Sequence, residues 1–424
     1  MNLSAWLQYL ENLHPKSIDL GLARVSSVAQ KLGLFPWTCP TITVTGTNGK
    51  GSCVAILESI LSAAGYRIGT YTSPHLFQYN ERIRIQGQPA TDAEICQAFE
   101  RIERVRGDTS LTYFEFGTLA ALLLFQEAKL DRVILEVGLG GRLDAVNIID
   151  SDIAILTTLA LDHQDWLGSD RESIGREKVA IARPNKPLIC GDFDVPASVI
   201  ESAAKQSSLL YCQGQDFGYI TPIHHRNHAN YVSEWSWWGS SRHLSGLPLP
   251  VLELQNMSTA FKALELLSLS GVKISQKSIE QGLQQVRLPG RFQIIEGPIT
   301  HVFDVAHNPA AAVCLSNRLS KTPCAGRTLA VVGVSLGKDY NGIFSALRHS
   351  VQDWYVGAFA KPPAVPSEVL AQNLNQLGVS SVFCHVDVVA AYCAAAFAAQ
   401  PGDRIVVFGS HYTVAMVFTY FRSS

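Results

Sequence analysis

The chain has 424 residues, with 34 Lys+Arg against 36 Asp+Glu for a formal charge of −2, and 47% of it is hydrophobic while 17% is charged. High apolar content with little net charge excludes a disordered chain, and the lack of a basic excess argues against a nucleic-acid binder. The length calls for two cores, because single cores rarely grow past about 250–300 residues.

The opening segment, MNLSAWLQYLENLHP, is interrupted by Gln8, Glu11 and Asn12 and is expected not to be a signal peptide. No stretch approaches the roughly 20 apolar residues of a membrane span, and the run Ala391–Ala399 reads as a buried helix. The nine cysteines, Cys39, Cys53, Cys96, Cys190, Cys212, Cys314, Cys324, Cys384 and Cys393, show no CxxC spacing. They are expected to be reduced, mostly buried thiols of a cytosolic protein rather than a disulfide framework or a zinc site.

In chain order, the β-branched run Thr41–Val44 predicts a strand that leads through a glycine-rich loop into a helix over 54–64. Further strands are expected at 132–137, 153–159 and 187–190, with helices at 92–105, 115–129 and 170–182. This alternation predicts an α/β domain with a parallel sheet. From about Leu209 to Leu254 a period-two pattern, clearest at Tyr231–Trp238, predicts a small antiparallel excursion. His224, His225 and His228 lie just upstream, and their setting favours a surface hairpin over a metal site. Residues 255–285 read as helices, and Leu288-Pro289-Gly290 marks a domain boundary. The alternation then restarts, with strands at 301–304, 329–334, 354–358, 382–385 and 405–408. Helices fall at 309–321, 341–350, 366–377, 387–399 and 412–421. The expected domains are therefore 1–287 and a doubly wound 288–424.

The strongest chemical signal is Thr45-Gly46-Thr47-Asn48-Gly49-Lys50-Gly51-Ser52, set between a strand and a helix. Backbone amides there can cradle phosphates at a helix N-terminus. Lys50 can reach the β/γ-phosphates and Ser52 a Mg²⁺ ion. The alternative is a glycine-rich turn without a ligand. Glu136, at a strand end, reads either as a Mg²⁺ partner or as a solvated residue. His163 in LDHQDWLG (161–168) reads as structural or as a ligand at the same sheet edge. Lys178, in Gly175-Arg176-Glu177-Lys178, reads by composition as a surface helix lysine. In Asp304-Val305-Ala306-His307-Asn308-Pro309, Asp304 and His307 suit binding, while Asn308 suits a helix cap and a binding role equally. The turn Gly409–Val414 presents amides suited to a carboxylate.

These segments together resemble the Mur ligase superfamily and, within it, the bacterial bifunctional dihydrofolate synthase/folylpolyglutamate synthase family. The resemblance runs through IDLGL (18–22), TGTNGKGS (45–52), TSPHL (72–76), TYFEFGT (112–118), LEVGLGGRLDA (135–145), LDHQDWLG, REK (176–178), LPGRFQ (288–293), DVAHNP (304–309) and the Gly409–Val414 turn. It implies a P-loop ATPase domain, 1–287, that binds ATP and pteroate, followed by a smaller Rossmann-like glutamate ligase domain, 288–424. It implies ATP-dependent ligation of L-glutamate to dihydropteroate and to the γ-carboxylate of reduced folates through an acyl phosphate. The alternatives are folylpolyglutamate synthase activity alone, or a nucleotide-regulated binding module. ATP is the co-substrate, with two Mg²⁺ ions, and the protein is expected to be a cytoplasmic monomer without nucleic-acid or membrane partners.

By the same resemblance, Gly46, Thr47, Asn48, Gly49, Lys50, Gly51 and Ser52 hold the phosphates. Ser52, Ser73, Glu136 and His163 are metal ligands, and Lys178 is carried as a carbamate; Lys50, His163 and Lys178 are the catalytic set. Asn256, Arg291, Asp304 and His307 contact nucleotide. Ile18, Asp19, Leu20, Thr112, Tyr113, Phe114, Leu143, Asp144 and Ala145 bind pteroate, with Phe114 stacking on the pterin. Asp304, His307 and Ser410 bind glutamate. The chain departs from the family pattern at Val146, at Val179-Ala180, at Gly337-Lys338-Asp339 and at His411-Tyr412.

Overall fold

Asn2 accepts a hydrogen bond from the Ala5 amide and so caps helix α1 (Leu3–Leu13), whose Trp6 and Leu10 face inward. Helix α2 (Ala23–Lys31) buries Val25 and Val28. Strand β1 (Thr41–Thr45) is buried along its whole length, as the central strand of a sheet covered on both faces must be. It runs through the glycine-rich loop into α3 (Lys50–Ala63). The helix thus begins four residues earlier than the apolar pattern suggests, at Lys50 itself.

A short edge that the sequence does not announce follows: β2 (Ile68–Tyr71), β3 (Ile83–Ile85) and β4 (Gln88–Pro89). Helices α4 (Asp92–Arg106) and α5 (Tyr113–Ala128) both open on capping boxes, Thr91 with Glu94 and Thr112 with Glu115. Then come β5 (Arg132–Glu136), β6 (Ile153–Leu156), the short α6 (Gln164–Leu167), α7 (Arg171–Val179), β7 (Pro187–Cys190), α8 (Ala197–Lys205) and β8 (Leu209–Cys212). These strands form one eight-stranded sheet in the order β4-β3-β2-β5-β1-β6-β7-β8. The sheet is not wholly parallel, as the alternation suggests, because the β2–β3 and β3–β4 pairs are antiparallel. Strand β8 belongs to this sheet rather than to the excursion. The excursion is a separate antiparallel sheet of β9 (Gly218–Asn227), β10 (Asn230–Trp238) and β11 (His243–Pro248). Helices α9 (Leu254–Leu269) and α10 (Gln276–Gln285) follow it.

The computed structural model describes residues 1–227, 230–248, 252–360 and 362–423. The hairpin reading of the three histidines lies outside the described part, because His228 and the side chains of His224 and His225 fall outside it. The chain divides into two compact units, Met1–Arg287 and Leu288–Ser424. The second unit contains β12 (Gln293–Ile295), β13 (Thr300–Phe303), α11 (Pro309–Lys321), β14 (Thr328–Val332), α12 (Tyr340–Leu347), β15 (Asp353–Val356), α13 (Ser367–Gln376), β16 (Val382–Cys384), α14 (Val388–Ala398), β17 (Arg404–Phe408) and α15 (His411–Ser423). Its sheet runs β12-β13-β17-β14-β15-β16, parallel except for the β12 edge. Each unit has its own core, with Trp6, Phe99 and Phe116 in the first and Phe344, Trp354 and Phe408 in the second.

Two composition-based expectations change. Only Cys53, Cys190 and Cys212 are buried, while Cys314, Cys384 and Cys393 are exposed in the second unit. Helix α14 buries one face, Val388, Ala391, Tyr392 and Ala395, while Phe397 is 94% exposed. Its uniform alanine content leaves no periodicity from which the buried side could be read.

Candidate active site

The turn from β1 to α3 depends on glycine twice. Gly46 (φ 143°) and Gly49 (φ 89°) occupy backbone regions closed to other side chains. A Cβ on Gly46 would lie 1.8 Å from Thr157 Oγ1, and one on Gly49 2.1 Å from Asn256 Oδ1. The loop is therefore pressed between the end of β6 and helix α9. Residues after β6 grip it: the Thr47 amide donates to Thr158 O (2.7 Å) and the Thr47 hydroxyl to Ala160 O (2.9 Å). The Asn48 amide donates to Thr158 Oγ1 at 3.3 Å. Thr157 and Thr158 escape a reading by motif, although their place at a strand end beside the loop is the signal that could have found them. With Thr47 and Asn48 engaged in holding the loop, the first-turn amides of α3 point the site at an anion, since they have no partner inside the helix.

Two lysines converge on this loop. Lys50 Nζ donates to Gly46 O (3.0 Å) and Thr47 O (3.2 Å), and Lys178 Nζ donates to the same Gly46 carbonyl at 3.1 Å. Lys178 is 4% exposed, so the surface-lysine reading is wrong. Helix α7 is pinned beneath the loop after β5, where a Cβ on Gly141 would lie 2.8 Å from Lys178 O, and the Arg142 amide donates to Glu177 O (3.0 Å). Burial, and then the neighbouring Lys50 charge, lowers the Lys178 pKa from 10.5 to about 7. An amine so placed is half neutral near physiological pH and is nucleophilic.

Glu136, at the end of β5, is buried rather than solvated, and its Oε2 accepts from the Ser73 amide at 3.2 Å. Ser52 is buried in the first turn of α3. His163 instead sits in a left-handed conformation (φ 51°) before α6, with its side chain 46% exposed and Nε2 3.9 Å from Asp162. Among the described residues no three His, Cys, Asp or Glu side chains cluster as a metal cage. The donor set of Glu136 with Ser73 and Ser52 fits a hard cation held largely by phosphate and water, which is how Mg²⁺ usually binds.

Next to this end lies an aromatic wall. Phe114 stands 5.7 Å from Tyr71, centroid to centroid, and a Cβ on Gly138 would meet its ring at 2.6 Å. Three separate segments converge here. The Gly21 amide donates to Leu143 O (3.2 Å), and Arg24 ties Asp19 Oδ2 (2.5 Å) to Glu115 Oε1 (3.2 Å). Ile18–Leu20, Thr112–Phe114 and the Leu143 loop are thus brought together, with Arg24 as a link that the motifs do not show. Asp144 is buried, accepts from Leu139 N (2.8 Å) and Val146 N (3.1 Å), and is raised to about 6 by burial. Its carboxylate shapes the loop that presents Leu143 and Ala145.

In the second unit, Asp304 accepts from Phe292 N and Ala306 N, both at 2.8 Å, and burial raises its pKa against the opposing charge of Arg291. Asn308 is the N-cap of α11, accepting from Ala311 N. The Gly409 amide donates to Ala306 O (2.9 Å), which joins the turns after β13 and β17. His307 consequently faces His411 at 5.5 Å, and Ser410 Oγ accepts from Tyr412 N (3.2 Å). Where the chain departs from the family pattern, Asp339 caps α12 and Tyr412 stacks on Phe359 at 5.8 Å.

A glycine-rich loop at a helix start in one α/β unit, followed in the chain by a second α/β unit, is the organisation of a ligase of the Mur class. Residues 44–212 match the Mur ligase middle domain and residues 290–411 the Mur ligase glutamate ligase domain. The chain is 46% identical to the dihydrofolate synthase/folylpolyglutamate synthase of Escherichia coli (strain K12), over 98% of this chain and 94% of that protein. Its structure resembles E. coli FolC in complex with DHPP and ADP (TM-score 0.94, 45% identity, 100% and 98% of the two chains). It also resembles a bifunctional folylpolyglutamate synthase/dihydrofolate synthase with Mn, AMPPNP and L-glutamate bound (TM-score 0.90, 46% identity, 100% and 98%). The protein belongs to the dihydrofolate synthase/folylpolyglutamate synthase family of Mur ligases.

Proposed function

We infer that the protein is an ATP-dependent ligase that joins L-glutamate to dihydropteroate, forming dihydrofolate, and to the γ-carboxylate of reduced folates. The observation that carries this reading is the convergence of Lys50 and Lys178 on Gly46 O beside the Phe114 wall. On this reading a phosphate site lies next to a flat apolar one. The substrate carboxylate attacks the terminal phosphorus of ATP, the bond to ADP breaks, and an acyl phosphate forms. The free amine of glutamate then attacks the acyl carbon, and inorganic phosphate leaves with the bonding electrons.

Each residue has a task in that sequence. Gly46 and Gly49 let the backbone approach the phosphates, and the α3 amides and Lys50 offset their charge. Asn256, against Gly49, contacts the nucleotide. Mg²⁺ held by Ser52, Ser73, Glu136 and His163 would neutralise charge on the transferring phosphate. Lys178 as a carbamate turns a buried cation into an anion able to help hold a second ion. Phe114 stacks on the pterin, with Ile18–Leu20, Thr112, Tyr113 and Leu143–Ala145 around it. Arg291, Asp304 and His307 serve the nucleotide, and Asp304, His307 and Ser410 serve glutamate. No helix among the described residues is long and apolar enough to cross a membrane. We place the enzyme in the cytoplasm as a monomer.

Glutamate-dependent phosphate release by the purified protein, measured separately with dihydropteroate and tetrahydrofolate, tests this. Release with both is expected; none with dihydropteroate leaves folylpolyglutamate synthesis alone. Gly138→Ala should push the Phe114 ring aside and raise KM for dihydropteroate several-fold, while KM for ATP stays near that of the parent. Equal changes in both constants would refute the stacking role.

A further inference from the structure

The aromatic wall carries a cation that the reaction scheme above does not use. Arg82 is half-buried, with its guanidinium carbon 5.5 Å from the ring centroids of both Tyr79 and Tyr113. Those two rings meet edge to face at 5.7 Å. Arg82 Nε donates to His75 Nδ1 at 2.8 Å. Its carbonyl accepts from Thr72 N (2.9 Å), one residue before Ser73. Arg82 therefore joins the Ser73–Glu136 end of the site to the segment that carries Phe114.

Four other half-buried arginines of this unit meet acids: Arg24 meets Asp19 and Glu115, Arg84 meets Glu58, Arg106 meets Glu103 and Arg171 meets Asp192. Among the described residues, Arg82 has no carboxylate within 4.0 Å, and its terminal nitrogens donate no hydrogen bond. Its sequence neighbour Glu81 is turned away, accepting from the amides of Leu76, Phe77 and Gln78 at 2.7–2.8 Å. A guanidinium oriented by two rings and one imidazole, with its fork left over, is prepared for an external carboxylate.

The two pterin substrates differ in that respect. Dihydropteroate has one carboxylate, which reacts. A reduced folate has two, and its α-carboxylate, three carbons from the reacting γ-carboxylate, must sit close to the reacting end without reacting. A buried anion there needs a partner, and the chain's net charge of −2 supplies no general positive field.

We propose that Arg82 binds the α-carboxylate of the glutamyl residue on a folate substrate, and so distinguishes glutamylated from unglutamylated pterins. The proposal rests on the folate-ligase reading. Its test is calorimetric binding of tetrahydrofolate and tetrahydropteroate, which differ only in the glutamyl group, to the full-length protein and to Arg82→Gln. The substitution should weaken tetrahydrofolate at least about tenfold more than tetrahydropteroate, the scale of a charge-assisted pair. Equal weakening of both compounds, or of neither, overturns the proposal. Arg82→Met keeps a chain between the rings without the charge; it should show the same ratio and decides the matter if the Gln variant does not fold. Failure of the parent protein to ligate glutamate would sink the ligase reading, whereas the binding ratio decides Arg82 by itself.

Discussion

Lys50→Ala is expected to lower kcat by roughly 10²–10³-fold with dihydropteroate and with tetrahydrofolate alike, the scale of losing a preorganised charge at a transition state. Lys50 is the first residue of α3, and its ammonium lies over Gly46 O and Thr47 O, the loop that would enclose the phosphates. Alanine is a good helix former, so α3 should still start at this position, and the unfolding midpoint should stay near that of the parent. The loss therefore reports on chemistry rather than folding. Steady-state phosphate release with both pterins measures it, and near-normal turnover would refute the phosphate role. A second consequence is specific to this geometry. The Lys50 charge is the next largest cause after burial of the depressed Lys178 pKa, so removing it should raise that pKa above about 7.

The elements with strong local signals are legible in the sequence. The β1–loop–α3 passage has β-branched residues, two obligatory glycines and a helix start, and each local preference points to the same structure. Helix α11 falls at 309–321 as expected, because Asn308 and Pro309 mark its start locally. The β2–β4 edge was not legible, since strands of four, three and two residues carry too few alternations to count. Helix α7 ends three residues before its sequence pattern does: Ala180, Ile181 and Ala182 continue a helical composition, yet Arg183 reaches back to their carbonyls and the chain turns. Lys178 shows the sharper limit. Its burial arises from Gly141 pressing on α7 from a segment nearly forty residues earlier, and periodicity within α7 cannot report that. Arg82 and Arg24 were missed for the same reason, as each acts by joining segments distant in sequence.

Lys178→Ala should cost roughly 10²-fold in turnover, the scale of losing support for a bound metal, and acetate or another short carboxylate should restore part of it. The parent protein gives a second readout. Carbamate formation needs the neutral amine, and with the pKa lowered to about 7 that form dominates above pH 7 and fades below it. After bicarbonate is removed and then returned, activity should recover faster at pH 8 than at pH 6. Recovery independent of pH, or of bicarbonate, would count against the carbamate. Stability has a matching sign. Between about pH 7 and 10.5 the unfolded chain holds the Lys178 proton and the folded chain does not, so unfolding takes up a proton and this residue's contribution to stability rises with pH. Below pH 7 both states are protonated and the buried charge destabilises the folded protein in full. In bicarbonate-free buffer the difference in unfolding midpoint between Lys178→Met and the parent should therefore be larger at pH 6 than at pH 9, with the methionine variant the more stable. The reverse order would mean that Lys178 keeps its proton in the folded protein, and a protonated amine has no lone pair with which to form the carbamate.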